Sequence, residues 1–122
     1  MSAIEFSKTL VQEAFSQPGK FASNLARAEE LLLGALAQAP DDTLLLTGLG
    51  AVLCDQGKHE KATTVLRRAV ELGSVDRNTF FNLGVSILNS GTHEEAMTFL
   101  SKANSLEPSP LSWEAYFDPQ AH

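Results

Sequence analysis

The chain has 122 residues, which is enough for one domain with one core. Its formal net charge of -6 disfavours nucleic acid and anionic membranes as partners, because both are polyanions that bind basic surfaces. The single cysteine, Cys54, excludes an internal disulfide, and the N-terminus lacks the pattern of a secretory signal. No apolar run approaches the roughly 18 residues that span a bilayer. We therefore expect a soluble, cytoplasmic protein whose partner is a protein or peptide, with no nucleic acid and no membrane bound.

Apolar residues at helical spacing, separated by helix breakers, predict six helices. Ser2 and Glu5 match a capping box before the first helix, and Gln17-Pro18-Gly19 ends it. The predicted helices cover approximately residues 3–16, 21–39, 42–56, 59–72, 76–91 and 94–106. Short turns join them, and no segment has the alternation of a strand. We predict an all-α domain over residues 1–108, built of hairpins at about 3–39, 42–74 and 76–107 and followed by a tail over 109–122.

The segment that begins at Thr43 repeats, at a constant offset, in the segment that begins at Arg77. Small residues recur at small positions, and large apolar residues recur at large apolar positions. The identical pairs are Leu49/Leu83, Gly50/Gly84, Gly57/Gly91, His59/His93, Glu60/Glu94, Ala62/Ala96, Thr64/Thr98, Leu66/Leu100, Ala69/Ala103 and Leu72/Leu106. Stacked helical hairpins need such recurrence, because each hairpin buries one face on the next.

These residues resemble the tetratricopeptide repeat (TPR) family, whose unit of about 34 residues is a pair of antiparallel helices. The matches are Leu46, Leu49-Gly50, Leu53, Gly57, Ala62, Leu66 and Ala69, then Phe80, Leu83-Gly84, Ile87, Gly91, Ala96, Leu100, Ala103 and Pro108. A leading repeat matches only in its second helix, at Ala28, Leu32, Ala35 and Pro40. The resemblance covers residues 5–108. It implies a right-handed superhelical solenoid of about three hairpins, with a concave groove and a short C-terminal capping segment.

Gly50 and Gly84 lie inside predicted helices, where glycine costs about 1 kcal/mol relative to alanine. A close approach of the paired helix offsets this cost, because a missing side chain lets two backbones gain dispersion contacts. We predict that Ala62 and Ala96 are the small residues that face these glycines.

The resemblance further implies that the first helices of successive repeats line the groove. The groove residues are then Leu44, Thr47, Ala51, Cys54 and Asp55 in one repeat, and Asn78, Phe81, Asn82, Val85, Leu88 and Asn89 in the next. The carboxylate-clamp subclass of the family has lysine, arginine and asparagine in the groove, where this chain has Thr47, Gly48, Asn78 and Asn82. A carboxylate clamp is therefore not expected.

Three of these residues, Phe81, Val85 and Leu88, would form a contiguous apolar patch of the kind that marks an interaction site. Three coverings are open: a peptide or amphipathic helix of a partner, a second copy of the chain, or the aromatic tail folding back. In the other interpretation, Phe81 and Leu88 are core residues between neighbouring hairpins.

The tail combines prolines with Trp113, Tyr116 and Phe117. A single helical turn from Ser112 would place the three aromatic side chains on one side. The tail is then either a cap that shields the end of the last hairpin or a docking segment for a partner or a neighbouring copy.

The sequence offers little evidence for catalytic residues. His59 and His93 occupy the same repeat position, which favours a structural role, and Cys54 has no basic neighbour in sequence that would lower its pKa. Phosphate loops, zinc spacings and nucleophile elbows are absent from the sequence. We expect no enzymatic activity, no cofactor and no metal.

The sequence predicts a non-enzymatic adaptor or chaperone-like module that binds a partner's peptide or helix in the groove. The alternative is a self-associating structural protein that forms a homo-oligomer through the apolar groove or the tail.

Overall fold

The computed structural model describes residues 1–116, which contain six α-helices and no strand. The helices are α1 (Ala3–Ser16), α2 (Phe21–Gln38), α3 (Thr43–Asp55), α4 (His59–Glu71), α5 (Arg77–Ser90) and α6 (His93–Ala103), with a 3-10 turn at Pro18–Lys20. The predicted all-α class and the six predicted helices are confirmed. No helix in this range is long and apolar enough to cross a membrane.

Side chains that bind free backbone N–H groups fix the helix starts. Ser2 Oγ accepts from Glu5 N at 3.2 Å, and the Glu5 carboxylate accepts from Ser2, which forms the predicted capping box. The hydrogen bonds to Ser2 lower the pKa of Glu5. Asp42 and Asp76 accept from N–H groups in the first turns of α3 and α5, where the positive end of the helix dipole also favours a carboxylate.

Glycine residues follow the ends of α3 and α4. Gly57 and Gly73 have φ angles of 77° and 95°, in the left-handed region that L side chains rarely adopt. After Gly57 the N–H of Lys58 donates back to Leu53 O at 2.8 Å, which satisfies a carbonyl in the last turn of α3. The chain therefore reverses direction within a few residues.

The last helix ends earlier than predicted. The sequence placed its end at about Leu106, whereas α6 ends at Ala103. Leu106 N donates to Ala103 O at 3.0 Å, so the backbone closes in a tighter turn before the prolines are reached.

The helices pack in the order of the sequence. Each helix contacts the next, so that α1 with α2, α3 with α4, and α5 with α6 form three pairs. In addition α1 contacts α3, and α3 contacts α5, which makes a layer of the first helices of the pairs. Helix α3 is central to this layer, since every residue from Leu45 to Asp55 is buried.

Close contacts between glycine and leucine join the helices of the second pair and those of the third. A Cβ atom built on Gly50 would lie 2.4 Å from Leu66 Cδ2, and one built on Gly84 would lie 2.6 Å from Leu100 Cδ2. The two glycines thus leave room for leucine side chains from α4 and α6. These contacts lie at equivalent positions of the two repeats.

The predicted partners of the glycines need correction. The nearest atoms to the absent side chain of Gly50 belong to Leu66, not to Ala62. At Gly84 the backbone oxygen of Ala96 is 3.3 Å away, farther than the leucine on the same helix. Ala62 and Ala96 are fully buried, so their small size serves the packing of α4 and α6 without supplying the nearest contact. The sequence pattern identified the right helices but not the right side chains.

We predict opposite effects for alanine at two helical glycines. Gly50→Ala places a methyl group against Leu66 Cγ, and the overpacking of about 1–3 kcal/mol exceeds the roughly 1 kcal/mol gained from helix propensity. Gly34→Ala, in α2, meets nothing within 4 Å and should raise the free energy of unfolding by about 0.5–1 kcal/mol. Urea denaturation measures both variants. Equal stabilisation in the two variants would contradict the packing described.

Candidate functional site

The chain after α6 returns to the layer of first helices. We call residues Ser109–Tyr116 the tail segment; its residues 112–116 are non-helical. Its start is attached to α5, because Ser109 N donates to the Asp76 carboxylate at 3.0 Å. The tail folds back on the first helices of the pairs, where it contacts Lys8, Gly48 and Asn82.

The predicted helical turn from Ser112 does not form. Backbone groups of residues 112–115 bond to side chains of α1 and α5 instead of to one another. Trp113 is 5% exposed and Tyr116 is 49% exposed, so the two aromatic side chains lie in different surroundings. Phe117 lies outside the described residues.

Asn82, in α5, binds the main chain of the tail segment with both polar atoms of its amide. Nδ2 donates to Trp113 O at 3.0 Å, and Oδ1 accepts from Ala115 N at 2.8 Å. A side-chain amide carries donors and an acceptor in one plane, so it can bind a carbonyl and an N–H two residues apart. Asn82 is fully buried, which shields both bonds from competing water.

Lys8 of α1 and Asn78 of α5 hold the preceding residues. Lys8 Nζ donates to the carbonyl oxygens of Pro110 and Ser112, at 3.3 Å each. Asn78 Nδ2 donates to Ser112 Oγ at 2.8 Å. The carbonyls of two consecutive residues, Ser112 and Trp113, therefore bind different helices, an arrangement that extended backbone permits.

The indole ring of Trp113 lies beside Gly48 of α3. A Cβ atom built on Gly48 would be 3.1 Å from Trp113 Cη2 and 2.7 Å from Ile4 Cδ1, so the glycine leaves room for both side chains. The indole Nε1 is buried and has no hydrogen-bond partner among residues 1–116. Gly48 and Asn82 occupy equivalent positions of the two repeats. The same repeat position thus accepts a ring in one repeat and binds main chain in the next.

An ion pair and two aromatic contacts complete the site. Arg77 Nη1 lies 2.6 Å from Glu114 Oε1, and the guanidinium of Arg77 lies over the ring of Phe81 at 4.9 Å. The ring of Tyr116 is 4.6 Å from that of Phe15 in α1. We call the side chains and the glycine that hold residues 110–115 the tail-binding face: Ile4, Lys8, Gly48, Arg77, Asn78 and Asn82.

The predicted groove residues are divided between this face and the interior. Asn78 and Asn82 bind the tail segment, whereas Thr47 Oγ1 lies 2.6 Å from Thr79 Oγ1 between α3 and α5. Ala51, Cys54, Asp55 and Val85 are buried, Leu44, Phe81 and Leu88 are partly buried against the core, and Asn89 is exposed. The packing of Phe81 and Leu88 agrees with the interpretation that they are core residues.

No feature of the sequence pointed to three residues of the tail-binding face. Ile4 and Lys8 lie in α1, whose match to the repeat pattern is poor, so no repeat position assigned them to the groove. Arg77 is the first residue of α5, at the edge of the repeat. Gly48 did carry a signal, because a second glycine two residues before Gly50 indicates that another group approaches the same helix.

Two of the groups considered for catalysis, Cys54 and His59, have pKa values shifted by burial. Burial raises the pKa of the Cys54 thiol, whose Sγ lies 3.8 Å from Asn82 O. Desolvation lowers the pKa of His59. Within residues 1–116, no group of three or more His, Cys, Asp or Glu side chains is placed to hold a metal ion. A raised pKa keeps the Cys54 thiol protonated, and a protonated thiol is a poor nucleophile.

The fold and the site together define a six-helix all-α domain with sequentially packed helix pairs and a tail bound across the first helices. No protein-family model matches the chain, and the comparison with curated proteins gives no match. The resemblance to the TPR family therefore rests on the repeat pattern of the sequence.

We predict that Asn82→Ala loosens the tail segment. Trp113 is the single tryptophan of the chain, so its emission reports on the tail alone. Loss of both bonds should shift the docking equilibrium toward release by about 1–3 kcal/mol, because the main-chain groups then regain partners only in water. We expect red-shifted emission and stronger quenching by acrylamide.

Asn89→Ala is the matched control for this variant. Asn89 lies on the same helix, and its Nδ2 donates to Val85 O within α5. Circular dichroism establishes that both variants keep their helices. Indistinguishable quenching of Trp113 in the two variants would contradict the role of Asn82.

Proposed function

We propose that the chain is a non-enzymatic protein-binding module, an adaptor or chaperone-like domain, that holds a partner's peptide segment on the tail-binding face. One observation carries this proposal: the Asn82 amide binds the main chain of Trp113 and of Ala115. Main-chain bonds contribute affinity for any polypeptide of suitable shape, and pockets for side chains add specificity. The face therefore has the properties of a peptide site.

We also infer that the six helices are a short solenoid of the TPR type. The equivalent contacts of Gly50 with Leu66 and of Gly84 with Leu100 support this inference, since one hairpin geometry then recurs. The contacts of α3 with α1 and with α5 support it as well. In such a solenoid the first helices line the concave groove, and the tail segment contacts these same helices.

The chemistry of the face favours binding over catalysis. Lys8, Asn78 and Asn82 are engaged in hydrogen bonds to carbonyls, an N–H and a hydroxyl. The nearby thiol of Cys54 is buried with a raised pKa, and a protonated thiol is a poor nucleophile. A single buried free cysteine also suits a reducing compartment, so we propose a cytoplasmic location.

Photo-cross-linking tests the proposed function. Asn89 is exposed and lies seven residues after Asn82, close to two full turns along the same face of α5. A photoreactive amino acid at position 89, irradiated in cell extract, should give adducts with another protein. The control position is Met97 of α6, which is 44% exposed on a second helix of a pair. Equal adducts at both positions, or none at 89, would argue against binding at this face.

Self-association is the second candidate function. The observation that favours it is that the bound segment belongs to the chain itself, so the same segment of another copy would form the same bonds. An adduct at position 89 of twice the chain's 13.2 kDa would support this candidate. Sedimentation velocity that shows a monomer at every concentration would exclude it.

A further inference from the structure

The way the tail segment is held indicates which chemistry a competing ligand needs. This inference rests on the proposed function. We propose that the partner is another protein, which carries a non-helical segment with a defined pattern of four residue types. The pattern is a small hydroxyl residue, an aromatic residue, an acidic residue and a small residue, in that order. This segment binds by displacing Ser112–Ala115 from the tail-binding face.

The first and last positions of the pattern follow from burial. Ser112 and Asn78 are both buried, and the Asn78 amide needs an acceptor at 2.8 Å, which a small hydroxyl residue supplies. Ala115 is 8% exposed while its N–H binds Asn82, so a larger side chain there would have to displace its neighbours. Both positions therefore accept small residues.

The middle positions follow from shape and charge. Gly48 and Ile4 border the indole ring of Trp113, and the missing side chain of Gly48 makes the space flat enough for an aromatic ring. The next position faces Arg77, whose guanidinium is held over the Phe81 ring and pairs with Glu114 at 2.6 Å. An acidic residue complements this charge, and its exposed pairing adds specificity more than affinity.

The tail segment itself is an imperfect ligand for the face. Its indole Nε1 is buried without a partner among the described residues, and such a donor weakens binding by about tenfold. A hollow of about 460 Å³ lies between Lys8 and residues 112–116. A ring of the same shape without an N–H should therefore bind more tightly than the chain's own tryptophan.

Displacement of the tail segment requires no helix to move, because α6 ends at Ala103 and none of the six helices includes residues 109–116. A tethered segment benefits from an effective concentration in the millimolar range. The tail of a second copy fits the face equally imperfectly and lacks this effective concentration. Exchange of tails between copies therefore gives no gain in binding free energy. A different protein with a better-fitting segment can compete, which is why we assign the partner to that class.

The test uses the full chain and a synthetic peptide of residues 109–116 in which benzothienylalanine replaces tryptophan. This residue keeps the bicyclic shape, has sulfur in place of the N–H, and leaves Trp113 as the only tryptophan in the sample. Saturable displacement should red-shift Trp113 emission and increase its quenching by acrylamide. The unmodified peptide, measured by competition, should bind about tenfold more weakly. A scrambled peptide of the same composition should have no effect.

Two variants localise the binding. Asn82→Ala should weaken binding of the modified peptide by at least about tenfold, since two hydrogen bonds to the peptide's main chain are lost. If that variant does not fold, Arg77→Glu replaces it, because Arg77 is at the surface and its reversal should be rescued by a peptide with lysine at the acidic position. Circular dichroism verifies the fold of each variant.

The proposal is overturned by three results. They are no change in Trp113 emission at saturating peptide, equal binding of the scrambled peptide, or concentration-dependent dimers of the native chain that compete with the peptide. Adducts at position 89 in excess of those at Met97 would then still support protein binding at this face, so failure of the pattern is distinguishable from failure of the proposed function.

Discussion

The contact of a leucine side chain with a helical glycine sets the geometry on which the later helix pairs depend. Leu66 occupies the space that a side chain of Gly50 would take, and Leu100 does the same at Gly84. The spacing of α4 from α3 and of α6 from α5 follows from this shared contact. The contact recurs at the same position of each repeat, so the two helix pairs share one packing feature.

Some equivalent positions that do not serve this contact differ between the two repeats. Leu44 and Asn78 are one such pair, and Gly48 and Asn82 are another. In α5 both positions carry asparagines that bind the tail segment, whereas in α3 the glycine leaves room for the Trp113 ring. The packing of the hairpins explains why both repeats have glycine at the position of Gly50 and Gly84. It does not explain why the position of Gly48 is occupied by Asn82 in the next repeat. The bound segment supplies that reason, since its main chain and its side chain need different partners.

The sequence was sufficient for the helices and their order. Periodic apolar residues and capping residues such as Ser2 act locally, so the predicted starts of α1, α3 and α5 lie within one residue of the observed ones. The resemblance also led us to predict Asn78 and Asn82 as groove residues, and both bind the tail segment. It did not predict the path of the tail, because the bonds of residues 112–115 go to side chains far away in sequence. A local rule for aromatic spacing predicted a helical turn there, and long-range bonds to Lys8 and Asn82 replaced it.

The stability of the docked tail segment is a small difference between larger favourable and unfavourable free-energy contributions. Each hydrogen bond to Lys8, Asn78 and Asn82 contributes roughly 1 kcal/mol net. Burial of the Trp113 side chain adds about 3 kcal/mol. Ordering the backbone of residues 112–116 costs about 1–2 kcal/mol for each residue. These contributions are of similar total size, so release of the segment costs far less than unfolding a helix pair. The fraction of chains with the face uncovered would therefore scale the apparent affinity of any competing ligand. A tail that docks in about 99 of 100 molecules would weaken such a ligand about 100-fold without preventing its binding.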